Sequence, residues 1–108
     1  ELARGAGVQI ELDEAAIPFD PSVHSACELL GLDPLAMANE GRMVVICPAG
    51  SAERALDHLR RHQPSASRIG TVVAKSDGTP RHPVSLRNPL GVLRPLELGR
   101  GEQLPRIC

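Results

Sequence analysis

Hydrophobic and polar residues follow two different periods along the first third of the chain. Val8–Asp13 alternates apolar and polar side chains, which predicts a half-buried strand. Val23, Ala26, Cys27 and Leu30 recur at the spacing of one helix face, which predicts a helix with an apolar stripe. The chain therefore begins with a strand followed by a helix.

Cap and turn residues mark the limits of the predicted helices. Asp20-Pro21 is a helix start, with Asp as N-cap and Pro at the first helical position, and Gly31 suits the helix end. Asp33-Pro34 repeats the start signal for a short helical turn ending near Ala38. Ser51 is the predicted cap of a third helix, whose apolar face comprises Ala52, Ala55, Leu56 and Leu59.

The remaining apolar segments predict strands. Met43–Cys47 is continuously apolar, which predicts a central strand covered on both faces. Ile69–Ala74 predicts a second strand, and Asp77-Gly78 a hairpin-type turn after it. Val84–Leu86, flanked by prolines, predicts a short return strand at a sheet edge, and Gly91–Leu96 a last short strand.

This order of elements predicts an α+β domain of α/β layers, in which helices cover a mixed sheet. We expect one domain over residues 1–96 and an irregular tail over 97–108, where glycines and a proline interrupt regular structure. Phe19 is the single aromatic residue, so the core must be aliphatic. A chain of 108 residues with such a core is expected to be only marginally stable alone. We therefore expect contact with a partner domain or a second copy to stabilise it.

Charge and cysteine content exclude several classes of function. A net charge of −1 argues against general nucleic-acid binding, and no apolar run is long enough to span a membrane. Three widely spaced cysteines argue against a disulfide framework and for a reducing cytoplasm. We interpret Cys27 and Cys47 as buried structural residues, and the histidines as surface residues that form no closed zinc site, with His62 as a helix C-terminal cation.

Two places could carry chemistry. Cys108 is a thiol at the end of an irregular tail, and Arg106 could hold its thiolate or a nearby anion; the alternatives are an accident of position and a solvated basic tail. Glu40, in Ala38-Asn39-Glu40-Gly41, could act as a general base if it is partly buried at the end of the apolar strand that follows. The alternative for Glu40 is an ordinary surface carboxylate in a turn.

Four segments together carry a family resemblance: ELDEAAIP at 11–18, ACELLGLDPL at 26–35, ANEG at 38–41 and GEQLPRIC at 101–108. The sequence resembles the C-terminal domain of the hydrogenase maturation carbamoyl dehydratases, relatives of the aminoimidazole ribonucleotide synthetase superfamily. The Pro-Arg-Ile-Cys ending is the most specific mark, and the resemblance covers nearly the whole chain.

The resemblance implies a role in nickel–iron hydrogenase maturation. The family's terminal cysteine, here Cys108, receives a carbamoyl group from a partner carbamoyltransferase. ATP then drives its dehydration to an S-cyanide, the precursor of the cyanide ligands of the Fe(CN)₂CO centre. Glu40 is then the expected acid/base, with Asn39 and Arg106 as substrate-binding residues. Iron–cyanide scaffold proteins and a homodimer are further implied partners.

Family members also have an N-terminal ATP-binding domain, which this sequence lacks. ATP and Mg²⁺ are therefore expected for the full-length family, and no cofactor or complete activity for this chain alone. Two other functions remain open: a non-catalytic docking domain for maturation partners, and a lid domain of a superfamily enzyme of the selenophosphate or thiamine-phosphate kinase type. The terminal Pro-Arg-Ile-Cys argues against the lid domain.

Overall fold

The computed structural model describes residues 1–75 and 82–96. These residues form two compact units. The first unit contains Glu1–Pro18 and the described part of 52–97, and the second contains Phe19–Ser51. The predicted tail at 97–108 and the predicted turn at Asp77-Gly78 lie outside the described residues.

A mixed four-stranded sheet organises the first unit. Its strands are β1 (Val8–Asp13), β2 (Gly70–Lys75), β3 (Val84–Arg87) and β4 (Leu93–Pro95), in the order β2-β1-β3-β4. β1 pairs antiparallel with β2 and parallel with β3, and β3 pairs antiparallel with β4. The predicted α+β class with a mixed sheet is confirmed.

The alternating pattern of β1 accounts for its central place. Leu12 lies opposite Leu86 of β3, and the Leu86 side chain is fully buried at 0% exposure. On the other side, Leu12 lies opposite Gly70 of β2. β1 thus joins segments that are distant in sequence and lie on its two sides.

The predicted edge position of β3 is wrong, and so is its predicted role as the return strand after β2. β1 separates β3 from β2, and β3 has a neighbour on each side. The flanking prolines permit this because they lie just outside the ladder residues Val84–Arg87, where no N–H is required of them. The carbonyl of Pro83 still accepts a hydrogen bond from Ile10 N–H at 3.0 Å.

Two helices accompany the sheet. Helix α1 (Leu2–Ala6), which the sequence pattern did not predict, buries Ala3 and ends at Gly7, whose φ of 63° is left-handed. Gly7 leads directly into β1. Helix α3 is Ala52–Arg60, and its predicted apolar face is half-buried through Ala52, Ala55 and Leu56. Ser51, the predicted cap, is the last residue of the 3₁₀ turn Ala49–Ser51, which leads directly into α3.

The second unit contains helix α2 (Pro21–Leu30), and both of its predicted ends are confirmed. The Asp20 carboxylate accepts a hydrogen bond from Ser22 N–H at 2.8 Å, and Gly31 adopts a left-handed φ of 66°. Asp33 likewise caps the predicted 3₁₀ turn, through Leu35 N–H at 2.9 Å. The apolar stripe of α2 buries Cys27, whereas Val23 and Leu30 are exposed.

The predicted central strand at Met43–Cys47 is wrong for the described part of the chain. This segment makes no strand ladder there, and Met43 is 83% exposed. Its apolar side chains have no covering layer among the described residues, so the pattern that predicts burial on both faces is not satisfied within them. Cys47 is exposed for the same reason, which overturns its predicted burial, whereas Cys27 is buried at 3% exposure as predicted.

The described residues bury few side chains completely: Ala3, Cys27 and Leu86. Large apolar side chains such as Leu29 and Leu90, each 88% exposed, lie at the surface. Among residues 1–75 and 82–96, no helix has the length and apolar content needed to cross a bilayer. The aliphatic core is small, as expected from the composition.

Gly70 is required where β2 passes β1. A Cβ at this position would collide with the backbone oxygen of Glu11 and lie 2.9 Å from Leu12 Cδ2. We expect Gly70→Ala to lower the free energy of unfolding by about 1–3 kcal/mol, because backbone must move to admit the methyl group. Urea unfolding followed by circular dichroism measures this change.

Gly5→Ala is the matched control, since a Cβ at Gly5 in helix α1 meets nothing within 4 Å. It should be neutral or stabilise by up to about 1 kcal/mol through helix propensity. Equal effects of the two substitutions would contradict the steric role of Gly70.

Candidate functional site

The Asn39–Gly41 segment presents the predicted acid/base to solvent. Asn39 and Glu40 are exposed and follow the 3₁₀ turn Pro34–Ala36, and Gly41 has a left-handed φ of 72°. The chain bends at Gly41, and the turn predicted over 39–41 stays a prediction. The predicted surroundings of a base are not found here, because Glu40 is exposed and the apolar segment that follows it forms no strand with the described residues.

A sulfur contact anchors the chain that leads into this segment. Cys27 Sγ of α2 lies 3.2 Å from Met37 Sδ, two residues before Asn39. The carbonyl of Cys27 also accepts a hydrogen bond from Leu32 N–H at 2.9 Å. The buried Cys27 thus holds Met37, which precedes the Asn39–Gly41 segment, against α2. We therefore interpret Cys27 as a structural residue.

Arg42 connects the same segment to the start of α2 electrostatically. The backbone N–H of Ser22, then the Ser22 hydroxyl, hold the pKa of the Asp20 carboxyl below its usual value, and the positive charge of Arg42 acts in the same direction. Arg42 follows Gly41 directly. The positively charged Arg42 thus lies two residues after Glu40 in the second unit.

The structure describes two of the four predicted site residues. Asn39 and Glu40 are adjacent in the second unit, whereas Cys108 and Arg106 lie outside the described residues. The pairing of the carrier thiol with its acid/base stays a prediction. Within residues 1–75 and 82–96, no three His, Cys, Asp or Glu side chains converge on a possible metal position.

A polar depression on the first unit went unrecognised in the sequence. It lies where β1, β2 and β3 run side by side and is lined by Glu11, Leu12, Asp13, Gly70, Thr71 and Arg87. Its volume is about 150 Å³. Alternation along β1 could have revealed part of it, because that pattern places Glu11 and Asp13 on one face of the strand.

Ion pairs tie this depression to the far end of the sheet. Arg87 donates to Glu11 Oε2 at 2.8 Å and to the carbonyl of Gly91 at 3.1 Å. Arg94 of β4 lies 3.3 Å from Glu14 Oε1. These side chains are partly exposed, so each pair stabilises by at most about 1 kcal/mol. Arg87 thus cross-links β1, β3 and the turn at Gly91, and it also lines the depression.

Comparison with known proteins identifies the family of this chain. Residues 1–82 match the family described as AIR synthase related protein, C-terminal domain. The chain belongs to this family. The predicted superfamily is thereby confirmed on more than half of the chain.

Individual proteins that are similar to this chain carry more specific names than the family does. The chain is 50% identical to carbamoyl dehydratase HypE of Cupriavidus necator over 110 residues, which covers 100% of the chain and 30% of that protein. It is 44% identical to carbamoyl dehydratase HypE of Escherichia coli, covering 100% of the chain and 31% of that protein. The chain thus spans about a third of the length of these relatives. The predicted resemblance to hydrogenase maturation carbamoyl dehydratases is confirmed.

Solved structures agree with this placement. A crystal structure of hydrogenase maturation protein HypE superposes with a TM-score of 0.84 at 42% identity, covering 99% of this chain and 35% of that one. HypE in a complex with HypF superposes with a TM-score of 0.77 at 34% identity, covering 89% and 30%. HypE in complex with ATP gives 0.81 at 42% identity, covering 99% and 32%. The likeness extends to the fold of nearly the whole chain.

The Asp20 cap makes a prediction about pH. Because the folded-state pKa of Asp20 lies below its ordinary value of 3.8, ionised Asp20 stabilises the fold above that value. This stabilisation is lost as the pH falls through the lowered pKa. A carbon-detected NMR titration should therefore place the Asp20 midpoint below 3.8, and Arg42→Ala should raise it slightly. A midpoint at or above 3.8 would contradict the capping geometry.

Proposed function

We propose that this chain is the part of an ATP-dependent carbamoyl dehydratase that carries the acceptor thiol, Cys108. The observation that supports this most is the identity of 50% to carbamoyl dehydratase HypE of Cupriavidus necator, over an alignment that covers 100% of the chain. The same reaction is proposed to supply the cyanide ligands during maturation of nickel–iron hydrogenase. We propose that the complete reaction requires the full-length protein.

The chemistry begins at the tail. The Cys108 thiolate attacks a carbamoyl donor and becomes an S-carboxamide, and the donor's leaving group departs. Arg106 is proposed to stabilise the thiolate or the adjacent anion, since a nearby guanidinium favours the ionised thiol. A thiol two residues beyond an arginine, at the end of a segment rich in glycine, can reach more than one partner.

Dehydration must then remove the amide oxygen and both N–H protons. Phosphoryl transfer from ATP to the carboxamide oxygen turns it into a leaving group, and the first N–H proton passes to solvent water. Phosphate departs as the carbon–nitrogen triple bond forms and the second N–H proton leaves. Glu40 is proposed as the base that accepts this second proton, and Asn39 as a hydrogen-bonding residue that orients the amide. Exposure of both residues in the second unit supports access by a substrate carried on a tail.

ATP and Mg²⁺ are proposed to bind mainly outside this chain. Among the described residues, no three His, Cys, Asp or Glu side chains converge on one position that could hold a metal ion. A related HypE has been crystallised with ATP, and this chain corresponds to 32% of that structure. The exposed apolar segment Met43–Ile46 supports contact with a further protein surface.

Several partners follow from this proposal. A carbamoyltransferase is the first, and the known HypE–HypF complex supports a docking event of this kind. Iron–cyanide scaffold proteins that accept the product, and a second copy of the full-length protein, are further proposed partners. The free thiols of Cys27 and Cys47 suit a reducing cytoplasm, the proposed location.

The carrier role predicts the site of carbamoylation. After incubation of the full-length protein with a carbamoyltransferase and its substrates, intact mass should show one carbamoyl adduct. Cys108→Ala should abolish the adduct, because it removes the nucleophile. Cys47→Ala is the matched control, since Cys47 is also a free and exposed thiol, and it should keep the adduct. An adduct that still forms in Cys108→Ala would contradict the proposed role of Cys108.

The acid/base role predicts a selective defect. Glu40→Gln in the full-length protein should slow ATP-driven dehydration of the carbamoylated thiol by about 10²–10⁴-fold, the usual contribution of a positioned base. Carbamoylation itself should be unchanged, and quenched-flow mass spectrometry separates the two steps. The control is Glu53→Gln on helix α3, another exposed carboxylate. Unchanged dehydration in Glu40→Gln would remove Glu40 from the mechanism.

A non-catalytic docking domain is the second candidate, favoured by the uncovered apolar side chains of Met43–Ile46. Under that alternative, capture of a carbamoyltransferase survives both Cys108→Ala and deletion of 97–108, and no adduct forms. Capture that requires the tail, together with adduct formation, favours the carrier function.

A further inference from the structure

Two histidines face each other just beyond the middle of the chain. His58 lies in the last turn of helix α3, and His62 lies four residues later. Their ring centroids are 5.8 Å apart, with an angle of 65° between the ring planes. Both side chains are exposed. The sequence interpretation took His58 as a surface residue and His62 as a helix C-terminal cation, and it missed this spacing, which places both side chains on one helix face.

The backbone holds this arrangement although α3 formally ends at Arg60. The N–H groups of His62 and Gln63 both donate to the carbonyl of Leu59, at 3.0 and 2.9 Å, so the chain completes another turn. Arg60 Nε donates to the carbonyl of Ala66 at 3.0 Å and secures the segment that follows. His62 is thereby fixed one turn after His58.

We propose that His58 and His62 form an open, two-imidazole binding site for a divalent first-row transition-metal ion such as Cu²⁺, Ni²⁺ or Zn²⁺. Histidines at positions i and i+4 of a helix present nitrogen ligands to one ion from the same face. Metal–nitrogen bonds of about 2.0–2.1 Å to a tetrahedral ion bring two ring centroids to about 5 Å. The observed rings need to approach by less than about 1 Å, which exposed side chains achieve by rotation.

The surroundings set the strength and selectivity of this site. It lies at the C-terminal, negative pole of α3, which favours a cation, while Arg61 between the two histidines opposes it. No third His, Cys, Asp or Glu joins the pair within 1–75 and 82–96, so water or an external ligand completes the coordination. Imidazole favours Cu²⁺, Ni²⁺ and Zn²⁺ over Mg²⁺, which prefers oxygen ligands.

The test is calorimetric titration of the full-length protein with CuCl₂ and NiCl₂, and with MgCl₂ for comparison. His58→Ala and His62→Ala should each weaken Cu²⁺ and Ni²⁺ binding by at least about tenfold, since loss of one ligand ends chelation. The double variant should be no weaker than either single one. Paramagnetic broadening by Ni²⁺ should centre on the His58 and His62 ring signals.

His24→Ala is the matched control, because His24 is an exposed helical histidine that lies 3.7 Å from Glu28 instead of a second imidazole. It should leave the affinity unchanged. Affinity that is unchanged in His58→Ala and His62→Ala would overturn the proposed site. An equal loss in His24→Ala would also overturn it, since binding would then reflect histidine number and not the chelating pair.

Discussion

Pairing on both sides of β1 is the constraint on which the described first unit depends. The strand joins β2, from the second half of the chain, to β3, which lies still later, and it does so with opposite strand polarity on its two sides. Close approach of β2 requires Gly70, and the buried Leu86 fills the β3 side. The polar face of the same strand supplies Glu11, whose ion pair with Arg87 ties β3 and the turn at Gly91 to the sheet.

Local signals in the sequence predicted most elements because their causes are local. Asp20 and Gly31 mark the ends of α2 through hydrogen bonds and φ values that concern only neighbouring residues. Alternation likewise marks β1 to its last residue. Sheet order could not be predicted in this way, since the place of β3 beside β1 depends on pairing between residues more than 70 positions apart. Prolines beside a short strand suggested an edge, yet they constrain only the positions that they occupy.

The error at Met43–Cys47 has a different cause. Continuous apolar sequence reports that side chains avoid water, but it does not report which surface covers them. In the described residues no layer covers this segment, and the chain spans about a third of its relatives' length. The same reasoning applies to the candidate site. Glu40 and Asn39 could be chosen from a motif, whereas their distance to a thiol at the far end of the chain is a long-range property that no local pattern contains.

The proposed carrier function requires a thiol and an acid/base from this chain and the ATP chemistry of the full-length protein. Its most direct test is the mass of the Cys108 peptide from carbamoylated full-length protein, compared after addition of ATP or a non-hydrolysable ATP analogue. That peptide is expected to lose one water with ATP and to keep it with the analogue. A nitrile vibration should appear in parallel with the loss. Loss of water with the analogue, or an unchanged carbamoyl peptide in the presence of ATP and Mg²⁺, would contradict it.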